Sequence, residues 1–173
     1  MFDQLQNRVN VRQEQLLLPT YLEPEAEKYP MFAENRVHQR TSGNPYPMAV
    51  VTKVSRAEPV EKAYQAIILE NAFINLVILP ELGGRIYAAR DKVTGYDFFY
   101  RQHVIKPALI GVLGSWISGG VEFNFPFHHR ASTFMPTDYT IEQAQDGAVT
   151  VWLADHDPLE RMRGCVGICL RPD

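Results

Sequence analysis

Apolar and polar residues alternate with period two along most of this chain, in short runs broken by turn-forming residues. Val9 to Leu18 reads as a strand that stops at Pro19, because proline lacks the amide N–H a ladder needs. Asn35 to Ser42 is polar and extended and leads into a Gly43-Asn44-Pro45 turn, after which Tyr46 to Val54 resumes an extended pattern. Ala63 to Leu69 and Phe73 to Leu79 flank Glu70-Asn71-Ala72 as a hairpin. Arg85 to Arg90 and Tyr96 to Tyr100 flank Asp91 to Gly95 as a second, with glycine where a positive φ is wanted. Tyr139 to Glu142 and Val149 to Ala154 flank Asp146-Gly147, and Gly164 to Leu170 closes the set. Helical signals are confined to Glu25 to Glu27 and to Val104 to Leu113, where Pro107 limits the length. Short strands at regular spacing predict an all-β sandwich or barrel.

Composition narrows the class. With 46% hydrophobic and 21% charged residues in 173, the chain can bury one core as a single domain over 1–173, residues 1–30 forming an N-terminal strand and a crossover. A formal net charge of −3 offers no field for nucleic acid, and no apolar run is long enough to span a bilayer. The N-terminus lacks a basic-then-apolar leader, so the expected location is cytoplasmic. Cys165 and Cys169, four apart on a predicted strand, lie roughly 13 Å from one another, too far to bridge, and read as buried free thiols.

Chemistry concentrates between Leu113 and Phe134, LGSWISGGVEFNFPFHHRASTF. Glu122, Asn124, His128, His129 and Arg130 bring a carboxylate, an amide, two imidazoles and a guanidinium together beside Gly119-Gly120, Trp116 and Pro126. Apolar walls with a few converging polar groups are what a site for a polar ligand needs.

These residues carry a resemblance. The segments YPMFAENRVHQRTSGNPYPM, LPELGGRIYAARDKVTGYDFFYRQHVIKPALIG, GSWISGGVEFNFPFHHRASTFMPTDYTIE and DGAVTVW resemble a bacterial family, domain of unknown function 5107, that typically precedes tetratricopeptide repeats. The resemblance implies a galactose-mutarotase-like β-supersandwich, present here as its N-terminal part. The catalytic Glu of mutarotases comes from the later half of that sandwich. The final strand runs to Leu170-Arg171-Pro172-Asp173 without a capping element, which also reads as the front of a longer protein with exposed strand edges open to self-association.

Each candidate has two readings. Glu122 either acts as a general base or grips sugar hydroxyls, or it pairs with Arg130 or loop amides to hold the motif together. On a strand it shares one side with Asn124, while Val121 and Phe123 face the core. On a strand His128 and His129 would point to opposite sides, so at most one joins Glu122; that imidazole either does acid–base work or, in the structural reading, orders the Pro126 loop through backbone hydrogen bonds. Arg85, after Gly83-Gly84, either clamps a carboxylate, phosphate or sugar diol, or salt-bridges Glu81 or Asp97. Phe123, Phe125 and Phe127 match a buried sheet face, which leaves Trp116 as the sugar-stacking candidate. His156 reads as a solvated turn residue. A metal held by Glu122, His128 and His103 has poor chelate geometry, so no metal and no cofactor is expected. The expected activity is sugar epimerisation or glycoside processing by Glu122 with His128 or His129, Arg85, Trp116, Asn124 and Arg130 holding the carbohydrate. The alternative is a non-catalytic carbohydrate- or protein-binding module on a repeat scaffold.

Overall fold

The computed structural model describes residues 8–23, 55–109, 115–124, 134–157 and 161–172. The described residues form nine strands and one 3-10 turn. They are β1 (Asn10–Thr20), β2 (Val60–Glu70), β3 (Ile74–Leu79), the 3-10 turn Pro80–Leu82, β4 (Arg85–Asp91), β5 (Ala108–Leu109), β6 (Ser115–Trp116), β7 (Asp138–Gln143), β8 (Val149–Asp157) and β9 (Met162–Leu170). The architecture is all-β. A four-stranded antiparallel sheet in the order β1-β2-β3-β4 faces a three-stranded one in the order β7-β8-β9, and β5 pairs with β6 as a separate ribbon.

Period two explains the two layers. Ile67 and Leu69 of β2 join Ile78 of β3 on one side and meet Val149, Val151 and Leu153 of β8 and Ile168 and Leu170 of β9. That is the sandwich core. Tyr64, Ala66 and Ile68 of β2 point the other way and pack with Tyr87, Ile105 and Ile117. The β2 strand is therefore covered on both faces, which is why Ala66-Ile67-Ile68-Leu69 is an unbroken apolar run rather than an alternating one. The second layer is built from the segments around 105 and 117, and it carries the site.

Several expectations need correction. The first strand does not stop at Pro19 but runs to Thr20. Pro19 directs its carbonyl away from β2 to accept from Ile105 N (2.8 Å), so its missing N–H removes nothing from the β1–β2 ladder. Residues 104–109 hold no helix: Ile105 bridges Thr20 in parallel, and Ala108–Leu109 is β5. Tyr96 to Tyr100 is not a strand. It keeps one bridge, Arg90 to Asp97, with bonds from Asp91 N to Tyr96 O and Phe98 N to Ala89 O, and then leaves β4 to meet Gly120. Cys165 and Cys169 are free thiols but exposed, since the inward positions of β9 belong to Ile168 and Leu170. His156 lies on β8 opposite Arg163, exposed, rather than in a turn. The expected elements over residues 25–27 and 35–54 lie outside the described residues. No helix among the described residues is long and apolar enough to cross a membrane.

Candidate functional site

The site starts with two glycine pairs. Gly83 and Gly84 adopt left-handed backbone (φ 72° and 69°), which ends the 3-10 turn and starts β4 tight against β8. A side chain at Gly84 would press on Leu153. Gly119 and Gly120 (φ 91° and 67°) make the second reversal. A Cβ on Gly120 would overlap the carbonyl of Ile86, so only glycine lets the 117–121 segment lie directly on β4. The approach is stitched by Val121 N to Ile86 O (2.9 Å), Ile86 N to Val121 O (3.1 Å) and Gly120 N to Tyr100 O (2.7 Å).

Arg85 emerges beneath that reversal. Its position on β4 places it on the same face as Tyr87, and it is only 1% exposed. A buried guanidinium needs acceptors, and backbone carbonyls supply them. Nε donates to Leu82 O (3.2 Å) and Nη1 donates to both Ile117 O (2.8 Å) and Gly119 O (2.9 Å). Nη2 faces Glu122 Oε2 at 3.8 Å. Burial lowers the Arg85 pKa, and the Glu122 carboxylate opposes that fall. The expected fork for a carboxylate or diol is thus turned inward and pins the loop, with Nη2 alone directed at the site. Its ionic partner is Glu122 rather than Glu81 or Asp97. The Glu81 carboxylate instead accepts from Gln65 N (2.6 Å).

Glu122 joins the groups together. Residues 122–124 are not a strand; only Val121 bridges β4. The alternation nevertheless persists, because Phe123 packs against the sandwich core while Glu122 and Asn124 share the other side. Glu122 Oε1 accepts from Asn124 Nδ2 (2.9 Å) and Oε2 accepts from Trp116 Nε1 (3.1 Å). Its side chain is 19% exposed, Trp116 is half-buried and Asn124 is exposed, so the cluster grades from a buried cation to a solvent-facing rim. Trp116 is brought there by β6, paired to Ala108 of β5.

The structure therefore brings together Arg85, Trp116, Glu122 and Asn124. The remaining candidates His128, His129 and Arg130, with Phe125 and Phe127, lie outside the described residues. His103 is exposed, and no group of three His, Cys, Asp or Glu side chains among the described residues is placed to hold a metal.

One feature escaped the sequence reading. A cavity of about 180 Å³ opens in the second layer, lined in part by Thr20, Tyr64, Leu82, Ile105, Ile117 and Phe134. The Thr20 hydroxyl donates to Leu18 O (2.9 Å) and sits 3.1 Å from the buried Tyr64 hydroxyl. Burial raises the Tyr64 pKa, against the Thr20 hydrogen bond. A tyrosine on an otherwise aliphatic face of β2 was the signal available.

Among solved structures the chain is similar to a tetratricopeptide-repeat (TPR) domain containing protein from Parabacteroides distasonis, with a TM-score of 0.81 and 26% identity. The match covers 94% of this chain and 27% of that one, so this chain spans about a quarter of its relative's length. The model of the family described as "Domain of unknown function (DUF5107)" matches residues 41–173, which include every residue of the site. On that match over most of its length, the chain belongs to the DUF5107 family.

Proposed function

We propose that this is a carbohydrate-directed domain and that the Trp116–Glu122–Asn124 cluster receives the sugar. One observation carries the reading: an indole and a carboxylate are joined by a 3.1 Å hydrogen bond at a partly exposed rim. An aromatic ring complements the apolar face of a pyranose, and a carboxylate accepts from its hydroxyls. Asn124 adds an amide beside the carboxylate. The mutarotase-like resemblance supports the same class. In the full-length protein the reaction would be sugar epimerisation or glycoside processing, with Glu122 and either His128 or His129 exchanging the proton.

The test is anomer exchange followed by NMR across a panel of aldoses, with the full-length protein and its Glu122→Gln variant. Catalysed exchange that disappears in the variant supports the enzymatic reading, and identical rates with and without protein refute it. A second reading, recognition without turnover, is favoured by the similarity to a TPR-domain containing protein, since repeat arrays present extended binding surfaces. Saturation-transfer NMR that detects a bound sugar with no exchange would select it.

A further inference from the structure

We infer that the Arg85–Glu122 pair selects an uncharged hydroxyl, so that the ligand of this site is a neutral sugar rather than a uronate, sugar phosphate or amino sugar. The inference rests on the carbohydrate reading above and adds the class of sugar.

It starts from the guanidinium. Arg85 has a side chain 2% exposed, and three of its hydrogen bonds hold the carbonyls of Leu82, Ile117 and Gly119. Its Nη2 is buried and makes no hydrogen bond. That nitrogen is aimed at the cluster, where Glu122 Oε2 stands 3.8 Å away, beyond hydrogen-bond distance. A buried donor left in this state is costly, and a well-placed acceptor relieves it.

The acceptor that fits is constrained by what stands opposite. An atom within reach of both Nη2 and Glu122 Oε2 must accept from the first and donate to the second. A hydroxyl does both through one oxygen. A carboxylate or dianionic phosphate accepts but cannot donate, and it brings negative charge against Glu122. An ammonium donates but cannot accept, and it brings positive charge against Arg85. A ligand of either charge therefore meets like charge in the pair. Nor can an anion use Arg85 two-pronged, because Nε and Nη1 already hold the loop. The layering adds direction: the cation is innermost, the carboxylate is 19% exposed, and Trp116 binds the same carboxylate oxygen that faces Arg85. A pyranose lying on the indole would thus present a ring hydroxyl to this pair.

The experiment measures binding to the full-length protein by saturation-transfer NMR and calorimetry. The probes are D-glucose and D-galactose, the matched D-glucuronate and D-galacturonate, and D-glucosamine and D-galactosamine at pH 7. The expected result is that one neutral sugar binds at least about tenfold more tightly than its charged counterparts, the scale of one close like-charge contact at a partly exposed site. Glu122→Gln, with its fold checked by circular dichroism, should narrow the gap between the neutral sugar and its uronate. A charged sugar binding as well as or better than its neutral parent overturns this inference and leaves the carbohydrate reading standing. Binding of none of the six overturns both.

Discussion

Gly120→Ala is expected to be far more damaging than an ordinary glycine substitution, and the reason lies in what surrounds it. Gly120 has φ 67°, and an added Cβ would overlap Ile86 O and come within 3.2 Å of Ile86 C and 3.3 Å of Tyr87 Cα. All three are backbone atoms of β4, which is held in a sheet and cannot give way. The 119–121 reversal must move instead. That breaks the paired bonds between Val121 and Ile86 (2.9 and 3.1 Å) and strains Gly120 N to Tyr100 O (2.7 Å). A left-handed non-glycine residue costs roughly 1–2 kcal/mol and each lost hydrogen bond about 1 kcal/mol. The expected destabilisation is therefore about 3–5 kcal/mol. Gly95→Ala is the control. It also has a positive φ (76°), but its Cβ would meet the tip of the Arg90 side chain at 3.2 Å, which can swing aside. That change should cost only the backbone component, roughly 1–2 kcal/mol. Urea unfolding of both variants, followed by tryptophan fluorescence, measures the difference. If the two variants unfold at the same urea concentration, the claim that the loop is seated on β4 by Gly120 is wrong.

Three further outcomes are expected. Glu70 receives Arg12 (2.9 Å) and Lys92 (2.6 Å), and these bonds lower its carboxyl pKa from 4.5 to about 2. A depressed carboxyl stabilises fully above its unfolded pKa and loses that contribution as pH falls through the folded one. The advantage of wild type over Glu70→Gln should thus be constant above pH 5 and shrink between about pH 4.5 and 2. It is at most ~3 kcal/mol by linkage and about 1–2 kcal/mol after solvent screening, which acid-range urea titrations would read. Asn71 bonds the amides of Phe73 (2.8 Å) and Ile74 (2.7 Å) through Oδ1 and Arg171 O (2.9 Å) through Nδ2. Asn71→Ala should cost about 2–4 kcal/mol and Asn71→Asp, which keeps the acceptor, about half as much in the same assay. Trp152 lies across Gly167, where a Cβ would come 2.6 Å from its ring, and donates to Glu142 (2.6 Å). Gly167→Ala should lift the indole and red-shift its emission; an unchanged spectrum would contradict the packing.

Much of this was legible because the relevant signals are local. The β2–β3 and β7–β8 hairpins follow from period-two runs broken by Asn71 and by Asp146-Gly147, and the structure places strands there. The common side of Glu122 and Asn124 followed from alternation alone, even though residues 122–124 left the ladder. What failed did so where a neighbour distant in sequence decided the outcome. Pro19 continues its strand because its carbonyl meets Ile105. The thiols of Cys165 and Cys169 are exposed because the inward positions of β9 face β2 and β3. Tyr96 to Tyr100 has a strand's pattern, but its carbonyl at Tyr100 is taken by Gly120.

The order of apolar and polar residues, with glycines where the chain must reverse, determined an all-β chain and marked 113–134 as its chemically dense segment. Only the tertiary structure decided that Arg85, thirty-seven positions before Glu122 in the numbering, would be buried beneath it and turned toward three carbonyls. The physical reason is that alternation records which side of a strand a residue takes. Which acceptor a buried cation finds depends on how separate segments stack, and no local pattern encodes that.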